Sequence, residues 1–286
     1  MVTKDDYRRC SGFNVTFSRL GNGAVAVEGE TDMNLLKPFF KICPVPLFGK
    51  TKVIESIEWN RGKNKKVYGI VDRDDNRQYN QYIVITDKSD MEMTLAATRG
   101  INERIKNKYF NDDINIYTSN NIIEFIGRKI KIMYFLGKLL YEKRRTPDDI
   151  RRKEQLWDYS KYNLYFHIDG RNNEINIENV TKKYYDLNYA NSICQEIRQT
   201  ANIGQCNYFM NCNGHHFVNY LYYLLINKGK NEFRSISFER FVYDLHELYK
   251  HNDFKETRIF DGLKSQVEVE LPNNSIFSQD MLNCLD

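Results

Sequence analysis

Six acidic side chains in the first third of the chain have the types and spacing to bind a divalent cation. They are Glu28, Asp32, Asp72, Asp74, Asp90 and Glu92. Carboxylate oxygens are hard ligands, which suit Mg²⁺ or Mn²⁺ better than zinc or copper. A magnesium ion held by a few carboxylates and several waters can also bind phosphate oxygens and activate water for in-line attack. These residues therefore predict hydrolysis of phosphodiester bonds with Mg²⁺, or alternatively Mn²⁺, as cofactor.

The acidic residues follow apolar runs that are typical of buried β-strands. Residues 24–27, 66–71 and 82–86 form these runs, and helical apolar spacing follows the first and third of them. Strands alternating with helices predict an α/β fold with a small, mostly parallel sheet flanked by helices. The carboxyl ends of neighbouring parallel strands lie at one edge, so the acidic residues should converge there. Converging carboxylates repel each other unless a cation or protons relieve the repulsion.

Three of the acidic residues have a structural explanation that is equally good. Asp32 can cap the helix that begins near it. Asp90 and Glu92 lie where acids in the first turn of a helix are stabilised by the helix dipole. The sequence leaves both roles open for these three residues, helix capping and metal binding.

The other three acidic residues are the stronger candidates for catalysis. Asp72 and Asp74 flank one residue, so in an extended segment both can point toward one ion, although Asp is also common in turns. Glu28 precedes Gly29, which removes side-chain bulk where a phosphate or a metal would approach the backbone. We therefore predict that Glu28, Asp72 and Asp74 are catalytic and bind the metal.

Basic residues near these acids and further along the chain could contact a phosphate backbone. Arg73 and Lys88 lie between acids, where they could instead form salt bridges. Residues 127–153 contain ten Lys or Arg against three Asp or Glu, a local charge of +7 in a chain of net charge +4. Such a segment can bind nucleic acid, but a solvated helical face is an equal explanation. Its candidate contacts are Arg128, Lys129 and Lys131.

The composition is that of a globular protein, with 41% hydrophobic and 28% charged residues. No run approaches the ~20 apolar residues that cross a bilayer. The acidic start of the chain is unlike a signal peptide, so we expect a cytoplasmic protein with reduced cysteines. The spacing of Cys206, Cys212, His215 and His216 matches no standard zinc module, and the two histidines are better explained as the start of a helix.

The second half of the chain has a different pattern. Helical spacing is found at residues 121–143, 180–200, 214–227 and 237–250, and a β-hairpin signal lies at 163–177. We predict an α/β catalytic domain at residues 1–110. An α-rich C-terminal region with one hairpin should follow at residues 111–286, and it would serve dimerisation, partner binding and nucleic-acid contacts.

The two acidic motifs in this order resemble the TOPRIM domain. Glu28-Gly-x-x-Asp32 follows one apolar strand, and Asp72-x-Asp74 follows a later one. The domain occurs in bacterial primases, type IA and type II topoisomerases and OLD-family nucleases. The resemblance implies that Glu28 is a general acid/base or a metal ligand, and that Asp72 and Asp74 are the metal-binding pair.

A larger set of motifs is similar to one TOPRIM subgroup, the AriB-type effector nucleases of the PARIS anti-phage systems. The motifs are at residues 27–32, 69–74, 86–92 and 213–216. This resemblance implies a toxic nuclease that cuts RNA, with tRNA favoured, and that is a homodimer when active. It also implies control by an ABC-type ATPase partner (AriA-like). That ATPase must be a separate protein, because this chain lacks a P-loop motif. The alternatives are a TOPRIM DNA nuclease outside defence, and a non-catalytic module that binds nucleic acid or a partner.

Overall fold

A computed structural model describes most of the first 110 residues and most of the last 73. The described residues are 20–73, 79–98, 100–110, 168–169, 174–175, 195, 214–271 and 276–283. The chain forms two compact units, residues 1–99 together with 249–286, and residues 100–248. The predicted division at residue 110 stays a prediction. None of the helices in the described residues is long and apolar enough to cross a membrane.

The first unit is built on a four-stranded sheet in which neighbouring strands are parallel. The strands are β1 (Ala24–Val27), β2 (Val45–Pro46), β3 (Val67–Val71) and β4 (Ile83–Ile85). Their spatial order is β2-β1-β3-β4. The predicted α/β class with a parallel sheet is confirmed, and β1, β3 and β4 coincide with the three apolar runs.

The described helices, in chain order, are α1 (Glu30–Leu36), α2 (Lys50–Arg61), α3 (Met91–Ala96), α4 (Ile101–Tyr109), α5 (Gly214–Lys228), α6 (Phe238–His246), α7 (His251–Lys255), α8 (Arg258–Glu270) and α9 (Gln279–Asn283). Short 3₁₀ helices lie at Lys37–Phe39 and Asn231–Phe233. The predicted helical character of the C-terminal part is confirmed. The sequence at residues 51–57 is compatible with either a strand or a short helix, and the structure forms the helix α2 there.

Helix α2 packs closely on the sheet because β3 has a glycine beneath it. A Cβ added to Gly69 would lie 3.1 Å from side-chain carbons of both Val53 and Ile57. These two residues are fully buried and share a core with Val67 and Val71. The close approach holds the beginning of α2 near the carboxyl ends of the strands.

Among the described residues, the second unit contains the predicted hairpin and the helices α4, α5 and α6. Strands β5 (Ile168–Asp169) and β6 (Glu174–Ile175) pair antiparallel, as expected from the turn sequence between them. Helices α5 and α6 contact each other, and Tyr222 lies against the Phe241 ring. The helices predicted at residues 121–143 and 180–200 lie outside the described residues, except for Gln195, which is helical.

Candidate functional site

Glu28 and Asp72 meet at the carboxyl edge of the sheet. Strands β1 and β3 are adjacent and parallel, and each of these residues directly follows its strand. The carboxylate Oε1 of Glu28 accepts a hydrogen bond of 2.8 Å from the backbone N–H of Asp72. The two strongest candidates from the sequence are therefore brought together. Asp74, the third, lies outside the described residues.

Asp32 lies in the first turn of α1, beside Gly29. Its Oδ2 accepts a hydrogen bond of 2.9 Å from the Gly29 N–H, so Asp32 caps the helix start from the third helical position, while the N-cap residue itself is Gly29. Gly29 has an extended backbone with φ of −140°, and an added Cβ would meet nothing closer than 3.6 Å. The protein's own packing therefore does not require a glycine at this position.

Asp90 and Glu92 lie at the start of α3, where both are almost fully buried. Asp90 is 6% exposed and Glu92 is 4% exposed. Asp90 caps the helix, because its Oδ1 accepts a hydrogen bond of 2.9 Å from the Met93 N–H. Helices α1 and α3 contact each other, which brings the helix that carries Asp32 to the helix that carries Glu92.

Burial and mutual repulsion raise the pKa values of three acids in this group, here called the carboxylate cluster. Its members are Glu28, Asp32, Asp72, Asp90 and Glu92. Burial, followed by repulsion from Glu92, raises the pKa of Asp32 to about 8. Burial and then Asp90 raise the pKa of Glu92 to about 8. Burial raises the pKa of Asp72 well above its ordinary value, and the other four members each add to that rise.

The cluster contains the carboxylate oxygens that a Mg²⁺ site uses, but these side chains are not already arranged as a metal-binding group. Among the residues that the structure describes, no three His, Cys, Asp or Glu side chains form a metal-binding group. The carboxylates of Glu28, Asp32 and Asp90 accept backbone N–H groups instead. Buried carboxylates that repel each other are the oxygen ligands that a hard cation prefers. The residue types fit Mg²⁺, but binding requires some of these side chains to turn toward a common point.

Four residues were considered as zinc ligands in the sequence, and two of them lie outside the described residues. Cys206 and Cys212 are not among the described residues. His215 is exposed in the first turn of α5, which begins at Gly214 as the sequence predicted.

Two basic candidates lie near the cluster, and three lie elsewhere in the chain. Arg73 joins β3 to β4, because its Nε donates to the Thr86 carbonyl at 2.9 Å and its N–H donates to Thr86 Oγ1 at 3.0 Å. Lys88 donates its backbone N–H to Thr94 Oγ1 at 3.0 Å. The nucleic-acid contacts predicted for these two stay predictions. Arg128, Lys129 and Lys131 lie outside the described residues.

Two residues near this edge were not singled out as ligands or contacts by the sequence. Lys50, the first residue of α2, donates from Nζ to the carbonyl oxygen of Asp72 at 2.6 Å. Asp87 follows β4 but turns away to α8, where its Oδ2 accepts the N–H of Arg258 at 2.9 Å. Nothing in their local sequence gives these partners, which are 22 and 171 residues away.

Comparison with family models, with curated proteins and with solved structures finds no match to this chain. The TOPRIM resemblance of the acidic motifs therefore stays an expectation from the sequence. The functional inference depends on the geometry of the carboxylate cluster.

Proposed function

We propose that the protein is a Mg²⁺-dependent nuclease that hydrolyses phosphodiester bonds at the carboxylate cluster. The observation that carries the proposal is the hydrogen bond from the Asp72 N–H to Glu28 Oε1, at the carboxyl ends of two adjacent parallel strands. This edge is where open α/β sheets bind their ligands. The raised pKa values of neighbouring Asp32 and Glu92 support the proposal, because strongly perturbed acids are frequent at functional sites.

Some members of the cluster would bind the metal, and one would transfer a proton. Asp72 and Glu92 would hold the metal, with Asp74 as a further ligand and Asp32 and Asp90 at the edge of the site. A bound Mg²⁺ supplies positive charge to phosphate oxygens and makes water more acidic. Glu28 would take the proton of the attacking water, and the hydrogen bond from the Asp72 N–H to its Oε1 would orient the carboxylate for that step.

The substrate and the partners are proposed from the sequence resemblance. RNA, and tRNA in particular, is favoured over DNA as the substrate. The basic segment at residues 127–153 supports a nucleic-acid substrate by its charge of +7. Control by an ABC-type ATPase, action as an anti-phage effector and a homodimeric active form belong to the same proposal.

Replacement of Glu28 by Gln tests the proposal. Glutamine keeps the hydrogen bond to Asp72 but cannot take a proton, so we expect cleavage to fall by about 10²–10⁴-fold. The assay compares tRNA, single-stranded RNA and plasmid DNA, each with Mg²⁺, Mn²⁺ or EDTA, and circular dichroism checks the fold. Glu30→Gln is the matched control, because Glu30 is an exposed acid two residues away and should keep full activity.

Each alternative has its own outcome in this assay. Cleavage of plasmid without cleavage of RNA supports a DNA nuclease. Binding without cleavage under any metal condition supports a non-catalytic module. Equal cleavage by Glu28→Gln and the parent protein would overturn the assignment of Glu28.

A further inference from the structure

We infer that the ammonium group of Lys50 contacts the substrate phosphate at the carboxylate cluster. The inference rests on the proposed function and adds a catalytic residue of opposite charge to a site otherwise described by its acids. Lys50 Nζ lies 2.6 Å from the carbonyl oxygen of Asp72, whose N–H is bonded to Glu28 Oε1. The backbone of Asp72 is thus held by a cation on one side and a carboxylate on the other.

The loop before α2 is built to hold Lys50 at this place. Phe48 has a φ of 57° and Gly49 a φ of 129°, so two successive residues adopt the left-handed side of the backbone map. For a bulky residue such as Phe this conformation is rare, and such strain is concentrated at functional sites. The Gly49 N–H donates to the Glu28 carbonyl at 3.0 Å, which ties the loop to the end of β1.

The charge and the chemistry of Lys50 suit a phosphate group. An ammonium group has three N–H donors, so it can hold the Asp72 carbonyl and still donate to a phosphate oxygen. Lys50 is half-buried, so part of the residue is accessible to solvent. A fixed cation beside the reacting phosphate stabilises the negative charge that develops in the transition state. The substrate phosphate would then lie between Lys50 and the cluster.

The experiment compares the full-length variants Lys50→Met, Lys50→Arg and Lys52→Met. The probe is bis(p-nitrophenyl) phosphate with Mn²⁺, which reports on chemistry at a phosphodiester without the contacts of a long nucleic acid. We expect Lys50→Met to lower kcat by about 10²–10³-fold with little change in KM, as for loss of one donor to a transition state. Lys50→Arg should recover part of the loss. Lys52 is exposed on the same helix, and its replacement should have no effect.

A second measurement separates substrate contact from a merely structural role. The rise in Tm on addition of Mg²⁺ should be the same in Lys50→Met as in the parent protein. Loss of that rise, or a kcat equal to that of the parent, would overturn the inference and leave the proposed function intact. If the parent and Glu28→Gln are equally inactive on this probe and on nucleic acids, the proposed function fails and the inference fails with it.

Discussion

At the scale of single residues, the carboxylate cluster relieves its repulsion in two ways. Backbone N–H groups donate to Glu28, Asp32 and Asp90. Protons remain on Asp32 and Glu92, whose pKa values are raised to about 8. A divalent cation would replace both kinds of relief, because ligand carboxylates must be ionised. The protonation state of the cluster should therefore depend on both pH and the concentration of Mg²⁺.

The stability of the metal-free protein should fall as pH rises from about 4 to about 8. Asp32 and Glu92 have ordinary pKa values of 3.8 and 4.5 that rise to about 8 in the fold. In this pH window the folded protein binds more protons than the unfolded chain, so the free energy of unfolding decreases with pH. The measurement is Tm against pH in EDTA, repeated with Mg²⁺, which should raise Tm more at pH 8 than at pH 5.5.

The variant Glu92→Gln is the control for this pH dependence. Glutamine cannot ionise, so the fall in Tm between pH 5.5 and pH 8 should be smaller than in the parent protein. Burial lowers the pKa of His246 to about 4, which gives a stability change of opposite sign below pH 6.5 in both proteins. A parent Tm in EDTA that does not fall between pH 6.5 and pH 8 would contradict the role assigned to the carboxylates.

The replacement Gly29→Ala should separate function from stability. A Cβ at this position would make only an ordinary contact at 3.6 Å with Asp32, and the backbone is extended. We therefore expect the free energy of unfolding to change by less than about 1 kcal/mol. Cleavage should fall by at least about tenfold if a phosphate or a metal approaches the backbone beside Glu28, as geometry near a reacting group is demanding.

Urea unfolding and the nuclease assay together measure both effects of Gly29→Ala. The control is Gly69→Ala, where the added Cβ would lie 3.1 Å from side chains in the core and should lower stability. Full activity of Gly29→Ala would show that substrate does not use the space beside this residue.

At the scale of secondary-structure elements, helix α8 is attached to the sheet at both of its ends. At its beginning, the N–H of Arg258 donates to Asp87, which follows β4. At its end, Glu270 accepts two hydrogen bonds from Arg61 Nη1, at 2.6 and 2.8 Å, and one from Tyr68 at 2.9 Å. The Arg61 guanidinium also lies 3.3 Å from the centre of the Tyr82 ring. The helix therefore fixes the beginning of β3 at one end and the segment that follows β4 at the other.

Replacement of Glu270 by Ala should strongly destabilise the first unit. The side chains of Arg61 and Glu270 are only 11% and 14% exposed, so removal of one leaves a mostly buried charge. We expect a loss of about 3 kcal/mol in the free energy of unfolding. Arg61, Tyr68 and Lys66 outweigh burial and lower the pKa of Glu270, so this contribution is present at neutral pH and is lost below about pH 4.5.

Urea unfolding of Glu270→Ala and Glu268→Ala at pH 7 checks this prediction. Glu268 forms an exposed pair with Lys264 one turn away on the same helix, and its loss should cost less than about 0.5 kcal/mol. Equal stabilities for the two variants would show that the buried network contributes nothing to the fold.

The predictability of these elements depends on how far their stabilising contacts reach along the chain. Strands β1 and β3 are continuous apolar runs, so local pattern was sufficient to find them. Strand β2 is two residues long and includes Pro46, so its local pattern does not indicate a strand. Helix α8 has buried residues at positions 259, 260, 263 and 267, a helical spacing that would have predicted it, but its attachment to Asp87 and Arg61 could not have been predicted.

The same distinction holds within the candidate site. Parallel neighbours in the sheet brought Glu28 to Asp72 as the strand-end rule predicted. Capping by Asp32 and Asp90 was one of two roles left open, since each lies in or before a first helical turn. The position of Lys50 depends on a loop with two left-handed residues, and no local pattern indicates where its side chain ends.

At the scale of the whole molecule, charge is distributed unevenly along the chain. Residues 127–153 have a local charge of +7, while the chain has a net charge of +4, which leaves about −3 for the remainder (4 − 7). The carboxylate cluster belongs to that acidic remainder. An acidic site does not attract a polyanion by itself, so the proposed function requires basic residues elsewhere to supply the affinity for nucleic acid.

Replacement of Arg128, Lys129 and Lys131 by Gln should weaken nucleic-acid binding and make it less sensitive to salt. Each phosphate contact contributes about 0.7 to the slope of log affinity against log salt for single strands, so loss of three should reduce the slope by about 2. Fluorescence anisotropy with a labelled RNA in EDTA, at several salt concentrations, measures this slope without cleavage. Replacement of exposed Lys37, Lys41 and Lys228 by Gln removes the same charge and is the control. If both triple variants change the slope equally, net charge alone governs binding and the basic segment has no special role.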